Sequence, residues 1–518
     1  MARPGAYLRL IAAGWTLTRA GLFELVVRTA PDAPPLPIRL LRFLGPRGSS
    51  SRIGVKLRDA LVRLGPSYVK LGQFLATRAD VVGTEIAEAL SGLKDEMAPF
   101  GSAETHRIIR QTTNQAPDEI FASISEPVAA ASIAQVHRSV LKETGETVAL
   151  KVLRPDVRRR FAHDIESYFT AARMIERWIP ESRRLRPVAV VETLERSMVL
   201  ETDLRIEAAA LSELRENTAG DPGFRVPDVN WAFTGRDLLV SEWIDGIKLA
   251  DIPALDAAGF DRPALARQVV QSFLRQAIRD GFFHADMHEG NLFVDAAGRI
   301  VAVDCGIMGR IGKGEQRFLA EILYGFIRRD YARIAEVHFE AGYVPATHNV
   351  ADFAQALRAI GEPIHGISAR DISMARLLGL LFEITDLFDM QTRTELVLLQ
   401  KTMVVVEGVA RRLDADFDMW KTAEPVVGEW ITRNLGPVGK VGDVVEGGGE
   451  IGRFLARVPG LLTRADHLAR ALTEQSEKGW RLDEETVKAI ARAESRYNRS
   501  GRIALWVIAI LLAILVLT

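Results

Sequence analysis

The chain has 518 residues, enough for roughly two to four domains, and 48% of them are hydrophobic, so a large core can form. The 66 Lys and Arg residues nearly balance the 67 Asp and Glu residues, and a formal net charge of −1 does not indicate a nucleic-acid partner. Cys305 is the only cysteine, which excludes an intrachain disulfide and is typical of a reducing compartment.

Residues 1–50 contain an amphipathic stretch followed by a Pro-rich linker at residues 31–37. The stretch, residues 7–27, interrupts its apolar residues with charged ones and lacks the small-residue cleavage pattern of a signal peptide. Two interpretations stay open for it, a helix that lies on a membrane surface and a helix that packs on the main domain.

Residues 51–118 are predicted to form a helical extension. Within residues 64–80, Pro66 suits the first position of a helix, and apolar residues then recur at helical spacing. Lys70 and Gln73 are three residues apart and therefore share a face. By itself, this polar face is also what a solvated surface helix shows.

Residues 119–246 are predicted to form a strand-rich lobe with a helical insertion. The sequence VALK at residues 148–151 matches the kinase strand whose lysine grips nucleotide phosphates. Burying Lys151 in an apolar strand would be costly without an anionic partner. The preceding residues Ala129, Ala130, Ala131 and Ser132 stand where a glycine-rich loop would cover the phosphates, but without glycine the backbone wraps an anion less closely.

The helical insertion, residues 157–217, ends in acidic residues that could meet this lysine. Asp203 and Glu207 lie four residues apart and are predicted to share one face of a helix, whereas Glu201 and Asp203 cannot both face inward on a regular helix. One acid of this group is expected to pair with Lys151. Without the lysine, the acids would be interpreted as a solvated surface.

Two strands are predicted between residues 226 and 244, on either side of a turn at residues 234–236. The second strand ends at a glycine-containing connector, the position where a kinase hinge offers backbone groups to adenine. Glu242 and Ile244 are the candidate nucleotide-binding residues there. Residues 265–281 are then predicted to form an apolar helix that leads into the next motif.

Residues 284–306 carry the strongest chemical signal. His284, Asp286, Asn291 and Asp304 fall at the spacing of the kinase H-R-D-L-x-x-x-N loop and the following D-F-G motif. Phosphoryl transfer needs positioning and charge neutralisation, so Asp286 is the candidate catalytic carboxylate that faces the acceptor hydroxyl or water, and the oxygens of Asn291 and Asp304 are candidate Mg²⁺ ligands. Two short strands around a turn at residues 295–298 would bring these two ligands together. Each residue alone is more typical of a solvated acidic loop.

Residues 247–480 are predicted to form a helical lobe that carries this loop. The run at residues 503–517 is continuously apolar and follows Arg502, and at about 1.5 Å per residue it spans roughly 22 Å, short of a bilayer core of about 30 Å. A transmembrane anchor at residues 503–518 is predicted, with a buried terminal helix as the alternative. The basic flank would keep the main domain cytoplasmic.

From about residue 64 onward, the chain resembles the UbiB family of atypical kinase-like proteins. The resemblance implies an α+β, protein-kinase-like bilobal fold that is mostly helical, with an N-terminal helical extension carrying the KxGQ motif and a C-terminal membrane helix. Met287, Glu289 and Cys305 depart from the residues common in the family. The motifs that carry the resemblance are KLGQ (70–73), the alanines at 129–131, Lys151, ETD (201–203), HADMHEGN (284–291) and DCG (304–306).

The resemblance implies a role for each candidate site residue. Lys151 and Glu207 would form an ion pair between the lobes, Asn291 and Asp304 would bind Mg²⁺, and Asp286 would stand at the position of the catalytic base. ATP or ADP would be the bound nucleotide.

A regulatory arrangement is also implied by the resemblance. The helix with Lys70 and Gln73 would fold over the active site, with Lys70 near Glu201 and Asp203, and would exclude protein substrates. The biological role would be support of ubiquinone biosynthesis at the bacterial inner membrane, through ATP hydrolysis or phosphorylation of a small molecule.

Three functions are weighed on this basis. The first is an ATP- and Mg²⁺-dependent ATPase or small-molecule kinase, and the second is a nucleotide-gated lipid-binding or scaffold protein. The third, a ring hydroxylase, has little support because the sequence shows no flavin fingerprint and no metal triad. Expected partners are a polyprenyl-phenol or other lipid-like quinone precursor, membrane lipids and other quinone-biosynthesis proteins, and a homodimer is compatible with the resemblance.

Overall fold

A computed structural model of the protein describes residues 4–22, 50–76, 97–178, 186–365 and 394–435, with positions 24, 82, 86, 89, 90, 93, 384 and 387–390. The Pro-rich linker at 31–37, and everything after residue 435 with the anchor predicted at 503–518, lie outside the described residues. None of the described helices is both long enough and apolar enough to cross a membrane.

Helices dominate the described part of the chain, and a π-helix, Arg275–Asp280, continues one of them. In chain order, the helices are α1 (Pro4–Ala20), α2 (Ser50–Leu64), α3 (Pro66–Ala76), α4 (Ser102–Thr113), α5 (Pro117–Ile120), α6 (Val157–Trp178), α7 (Pro187–Glu201), α8 (Leu204–Thr218), α9 (Ile252–Ala257), α10 (Arg262–Leu274), α11 (Lys313–Arg328), α12 (Tyr331–Glu340), α13 (Val350–His365), α14 (Thr394–Leu413) and α15 (Met419–Leu435).

The strands form three small sheets. The order β1-β2-β3-β5 is antiparallel throughout, a second sheet has the order β4-β9-β8-β6, and β7 pairs with β10. The strands are β1 (Phe121–Ala130), β2 (Ala134–Leu141), β3 (Thr147–Leu153), β4 (Phe224–Arg225), β5 (Leu238–Glu242), β6 (Gly246–Lys248), β7 (Phe282–His284), β8 (Leu292–Asp295), β9 (Ile300–Ala302) and β10 (Met308–Arg310).

Helix α1 packs on α6 through one face and leaves the other exposed. The Arg9 guanidinium donates to the carbonyl of His163 at 2.9 Å and to the hydroxyl of Ser167 at 3.2 Å. Ile11 and Trp15, four residues apart on α1, are 56% and 48% exposed. The amphipathic segment therefore packs on the main domain, and it also presents an apolar face.

Helices α2 and α3 meet at a sharp corner. Gly65 has a φ of +108°, a conformation that glycine adopts without the strain a side chain would cause. The corner directs α3 onto α6, where the Ser67 hydroxyl donates to Asp164 at 2.5 Å and the rings of Tyr68 and Tyr168 pack edge to face at 5.3 Å. The extension is thus anchored to the long helix of the main domain.

The interior strand β3 has two different faces. Leu150 and Val152 are fully buried on one face, in a small core with Ile109 of α4. Because side chains alternate along a strand, Lys151 projects from the opposite face. The same alternation that builds this small core therefore places the lysine towards α8 and the helical part of the fold.

The structure changes several predicted boundaries. The predicted strand before the turn at 234–236 is only an isolated bridge between Val229 and Ser241. Within the predicted helical lobe, residues 308–310 form strand β10, and within the predicted helical extension, residues 97–100 are not helical. These segments pair with distant strands or turns, which local periodicity does not reveal.

A helix break after Glu201 separates the acidic residues. Helix α7 ends at Glu201, and Asp203 is the N-cap of α8, where its carboxylate accepts from the backbone N–H of Arg205 at 3.2 Å. The prediction that Asp203 and Glu207 share a helical face was therefore wrong. Asp203 faces the arginines near the helix start, and Glu207 lies within the first turn.

Candidate active site

Lys151 lies between two carboxylates that come from distant parts of the chain. Its Nζ is 2.6 Å from Oε1 of Glu207 on α8 and 3.3 Å from Oδ2 of Asp304. The lysine side chain is only 17% exposed, so these partners compensate most of the cost of removing the charge from water. The structure brings together the lysine and the acid that the family resemblance pairs with it.

Burial and charge act against each other at these three groups. Burial lowers the pKa of Lys151, but Asp304 and Glu207 outweigh it, and the net shift is upward. Burial raises the pKa of Asp304, but the Lys151 ammonium and the Gly306 N–H hold it well below its usual range. Burial, opposed by Lys151 and supported by Asp304, raises the pKa of Glu207 to about 7. At neutral pH, Lys151 is therefore a cation and Asp304 an anion.

His284 organises the backbone of the catalytic loop rather than facing solvent. It is fully buried, and its Nδ1 accepts a hydrogen bond from the Asp286 N–H at 3.1 Å. Burial lowers the pKa of His284, which the carboxylates of Asp304 and Asp286 oppose only in part. The His284 N–H donates to Oε1 of Gln276 in the π-helix at 3.0 Å. The neutral imidazole of His284 thus fixes the backbone of Asp286.

Asn291 links Asp286 to the end of the β8–β9 hairpin. Its Nδ2 donates to the carbonyl of Asp286 at 3.3 Å, and its own carbonyl accepts from the Val303 N–H at 3.0 Å. Asp304 is the next residue, so the hairpin brings Asn291 and Asp304 to the same end, as the sequence predicts. The Asp286 carboxylate is 33% exposed, with Nε2 of His288 at 3.7 Å.

The donor atoms at this end of the hairpin fit a hard divalent cation. The amide nitrogen of Asn291 is committed to Asp286, which leaves its Oδ1, and Asp304 supplies carboxylate oxygens. Within the described residues there is no cluster of three or more His, Cys, Asp or Glu side chains suited to a metal. Two protein ligands accord with Mg²⁺, which usually takes one or two side chains and completes its shell with phosphate and water.

The alanine turn before β2 is fixed by hydrogen bonds instead of by glycine. None of the residues from Ala129 to Ser132 has a positive φ, and the Ala131 N–H donates to the carbonyl of Ala134 at 2.8 Å. The carbonyl of Ala130 accepts from the Met97 N–H at 3.0 Å, and Arg154 donates to the carbonyl of Ala131 at 2.7 Å. The turn is therefore tied to the segment that leads in from the extension.

The hinge candidates differ in what they have available for a ligand. The Glu242 N–H donates to the carbonyl of Asp228 at 2.8 Å, and its carboxylate pairs with Arg225 at 2.9 Å. The same guanidinium is 3.0 Å from Asp295 on β8. Glu242 thus ties β5 to the second sheet through Arg225, and its N–H is already engaged, so the buried Ile244 is the better backbone candidate of the two.

The extension contacts the acidic motif through Lys70. Nζ of Lys70 on α3 is 2.7 Å from Oε2 of Glu201, and these side chains are 14% and 11% exposed. Asp203 instead pairs with Arg205 at 2.7 Å and with Arg236 at 3.6 Å. Gln73 lies on the same helix, half-buried.

Three residues at this site were not identified from the sequence. Gln276 is a polar residue within a helix predicted to be apolar, and that exception was a signal that could have found it. Arg154 and Arg225 carried no signal, because an arginine in an unmatched segment is usually a surface residue. Their roles become visible only through contacts with residues far along the chain.

The sheet with Lys151, the acid on α8 and the loop from His284 to Asp304 define a kinase-like domain. The family model of the ABC1 atypical kinase-like domain matches residues 92–338, and that of the UbiB helical domain matches residues 357–418.

Curated relatives cover most of the chain. The probable protein kinase UbiB of Marinobacter nauticus is 39% identical over 443 residues, which are 84% of this chain and 80% of that protein. The probable protein kinase UbiB of Vibrio atlanticus is 38% identical over 464 residues, 88% of this chain and 85% of that protein. The chain belongs to the UbiB family, and the resemblance noted in the sequence is confirmed.

A solved structure with a similar chain is the complex of Rv3197 with erythromycin from Mycobacterium tuberculosis. Its sequence identity is 21% and its TM-score 0.49, and the match covers 73% of this chain and 98% of that one.

Proposed function

We propose that this protein is an ATP- and Mg²⁺-dependent enzyme, an ATPase or small-molecule kinase that supports ubiquinone biosynthesis at the bacterial inner membrane. The observation that carries the proposal is the position of the Lys151 ammonium between Glu207 and Asp304, next to the end of the hairpin that holds Asn291. In kinases, a lysine, its helix-borne acid and the D-x-G aspartate are the groups that fix the nucleotide phosphates and their metal.

Each residue has a definite task in this proposal. Lys151 holds phosphate oxygens while Glu207 keeps the ammonium in place. Asn291 Oδ1 and the Asp304 carboxylate would hold Mg²⁺, which would neutralise charge on the phosphates. The half-buried carboxylate of Asp286 would accept a proton from the attacking hydroxyl or water, and its backbone is held by His284 and Asn291.

Nucleotide binding draws on two further features. Ile244 offers the hinge peptide to adenine, and the alanine turn, residues 129–132, covers the phosphates from above. Hydrogen bonds from Met97 and Arg154 hold the turn, so it is preorganised, unlike a flexible glycine-rich loop. A preorganised turn favours nucleotide binding without a large closing movement.

The second candidate is a nucleotide-gated lipid-binding or scaffold protein, in which binding matters and turnover does not. It is favoured by the Lys70–Glu201 ion pair, which ties the extension to the motif beside the site. A polyprenyl-phenol, membrane lipids or other quinone-biosynthesis proteins are the partners proposed for either function. The exposed Ile11 and Trp15 on α1 are a suitable contact for a lipid surface.

Phosphate release decides between the two candidates. The full-length protein is purified with lipid and incubated with ATP and Mg²⁺, beside the variant Asp304→Asn. The enzyme hypothesis expects release that depends on Mg²⁺ and falls at least about 100-fold in the variant. Equal release from both proteins would refute it.

Quinone intermediates test the biological role. A strain lacking the protein is rescued with the wild type, Asp304→Asn or Asp286→Asn, and its quinone precursors are measured. If Asp286→Asn abolishes quinone production while its nucleotide affinity is intact, the scaffold hypothesis fails. If Asp286→Asn rescues fully and Asp304→Asn does not, binding without turnover is sufficient.

A further inference from the structure

Helix α14 contacts the catalytic loop on both sides of Asp286. The Thr402 hydroxyl lies 3.1 Å from the carbonyl oxygen of Ala285, the residue before Asp286, and 2.8 Å from the carbonyl of Leu398 in its own helix. Thr402 is fully buried and Ala285 is 2% exposed, so water does not compete for this bond. The hydroxyl is thus a fixed contact between two elements that are more than one hundred residues apart.

The second contact lies three residues after Asp286. Glu289 forms an ion pair with Arg412, ten residues after Thr402 on the same helix. Beside this ion pair, Leu249, Val409 and Leu413 line a small cavity of about 60 Å³.

The loop itself behaves as one unit. The carbonyl of Asp286 accepts from the His288 N–H at 2.9 Å and from Nδ2 of Asn291 at 3.3 Å, and its N–H donates to His284. The contacts of α14 with Ala285 and Glu289 therefore affect the position of the whole loop. The orientation of the Asp286 carboxylate follows from where α14 holds this unit.

We propose that α14 positions the catalytic loop, with Thr402 and Arg412 as positioning residues that keep Asp286 in register with Asn291 and Asp304. The inference rests on the proposed function, because it concerns the step in which Asp286 takes part. A misplacement of about 1 Å in a reacting group can lower a rate by about 100-fold. Nucleotide affinity depends on Lys151 and the hinge, which belong to other elements, so the loss falls on kcat.

The buried tether is tested with Thr402→Val, which keeps the shape and removes the hydroxyl. The matched control is Thr218→Val, at a buried threonine that bonds the carbonyl of Leu214 in its own helix at 2.8 Å. We expect Thr402→Val to lower kcat for phosphate release by about three- to tenfold, with the Kd of the nucleotide changed less than about twofold. An unchanged kcat, or an equal fall in the control, overturns the inference.

The ion pair is tested by exchanging its charges. Glu289→Arg and Arg412→Glu each place like charges together, and we expect each to lower kcat by about threefold or more. The double variant restores opposite charges and should recover most of the activity. Lys421→Ala, an exposed charge on α15, is the control and should leave kcat unchanged. Failure of the double variant to recover activity, with all proteins folded by circular dichroism, contradicts the proposal.

The two levels of inference fail in different ways. If the wild type shows no release that depends on Asp304, the proposed enzyme function fails before α14 is considered. If the wild type is active and Thr402→Val raises KM while it lowers kcat, α14 supports the whole fold and does not position the loop.

Discussion

Lys70 of the extension and Glu201 at the end of α7 form an ion pair whose Nζ–Oε2 distance is 2.7 Å. Helix α8, which carries Glu207, begins three residues after Glu201. The KxGQ helix is therefore joined to the segment that leads directly to the partner of Lys151. Because both charged groups are largely buried, the loss of either one would leave the other buried without its counter-charge.

The variant Lys70→Ala should destabilise the protein and loosen the extension. It leaves the carboxylate of Glu201 buried without this cation, which costs about 3 kcal/mol. Denaturant unfolding measures the loss, and limited proteolysis of residues 50–76 measures the loosening. The control Arg159→Ala removes an exposed pair with Asp156, at 70% and 59% exposure, and should change little. Equal stability of both variants would show that the Lys70–Glu201 ion pair contributes no more to stability than an exposed ion pair.

The variant Lys151→Met should weaken nucleotide binding. A hydrogen bond to a charged group contributes about 1.5–3 kcal/mol, so the Kd for Mg²⁺–ATP should rise by about 10- to 100-fold. Isothermal titration measures it. Lys142→Met, at an exposed lysine after β2, is the control for loss of a charge. A Kd unaffected by Lys151→Met would remove the lysine from the nucleotide site.

The pH dependence of stability should report on Glu207. Its pKa is raised from an ordinary 4.5 to about 7 in the folded protein, so between these values the folded state holds a proton that the unfolded state has lost. The contribution of Glu207 to the free energy of unfolding is fully present below about pH 4.5. It is lost as the pH rises through about 7, and the loss is about 3 kcal/mol at most. The difference in unfolding free energy between the wild type and Glu207→Gln, measured from pH 5 to 8, should follow this decline. A difference that does not change with pH would contradict a raised pKa of Glu207.

The variant Arg225→Ala should affect the hinge. It removes the contacts with both Glu242 and Asp295, so we expect nucleotide affinity to fall about three- to tenfold as β5 loses its link to the second sheet. Arg299→Ala is the matched control, since Arg299 pairs with Asp295 at 2.8 Å and leaves Glu242 untouched. If both variants weaken binding equally, the effect comes from Asp295 and not from the hinge.

Part of the site could be predicted from local spacing. Lys151, Asp286, Asn291 and Asp304 are the residue types that binding of phosphate and Mg²⁺ requires, in the order of a kinase. The segment between Asn291 and Asp304 is so short that a hairpin of two strands must bring these two residues together. The alternation within β3 likewise settles that Lys151 faces away from Leu150 and Val152. These features depend on a few consecutive residues, so the sequence by itself determined them.

The tertiary structure decided which partners these residues have. By local spacing alone, Asp203 and Glu207 were equivalent, and the helix break at Thr202 places one beside the arginines and the other beside Lys151. The contacts of Arg225 and Thr402 join segments far apart along the chain. The sequence does not distinguish a helical polar residue that faces water from one that faces a buried carbonyl. Hydrophobic periodicity identifies only the apolar face of a helix, and it does not show which elements pack against the other faces. How the helices pack is therefore what selects the groups that hold the catalytic loop and the hinge.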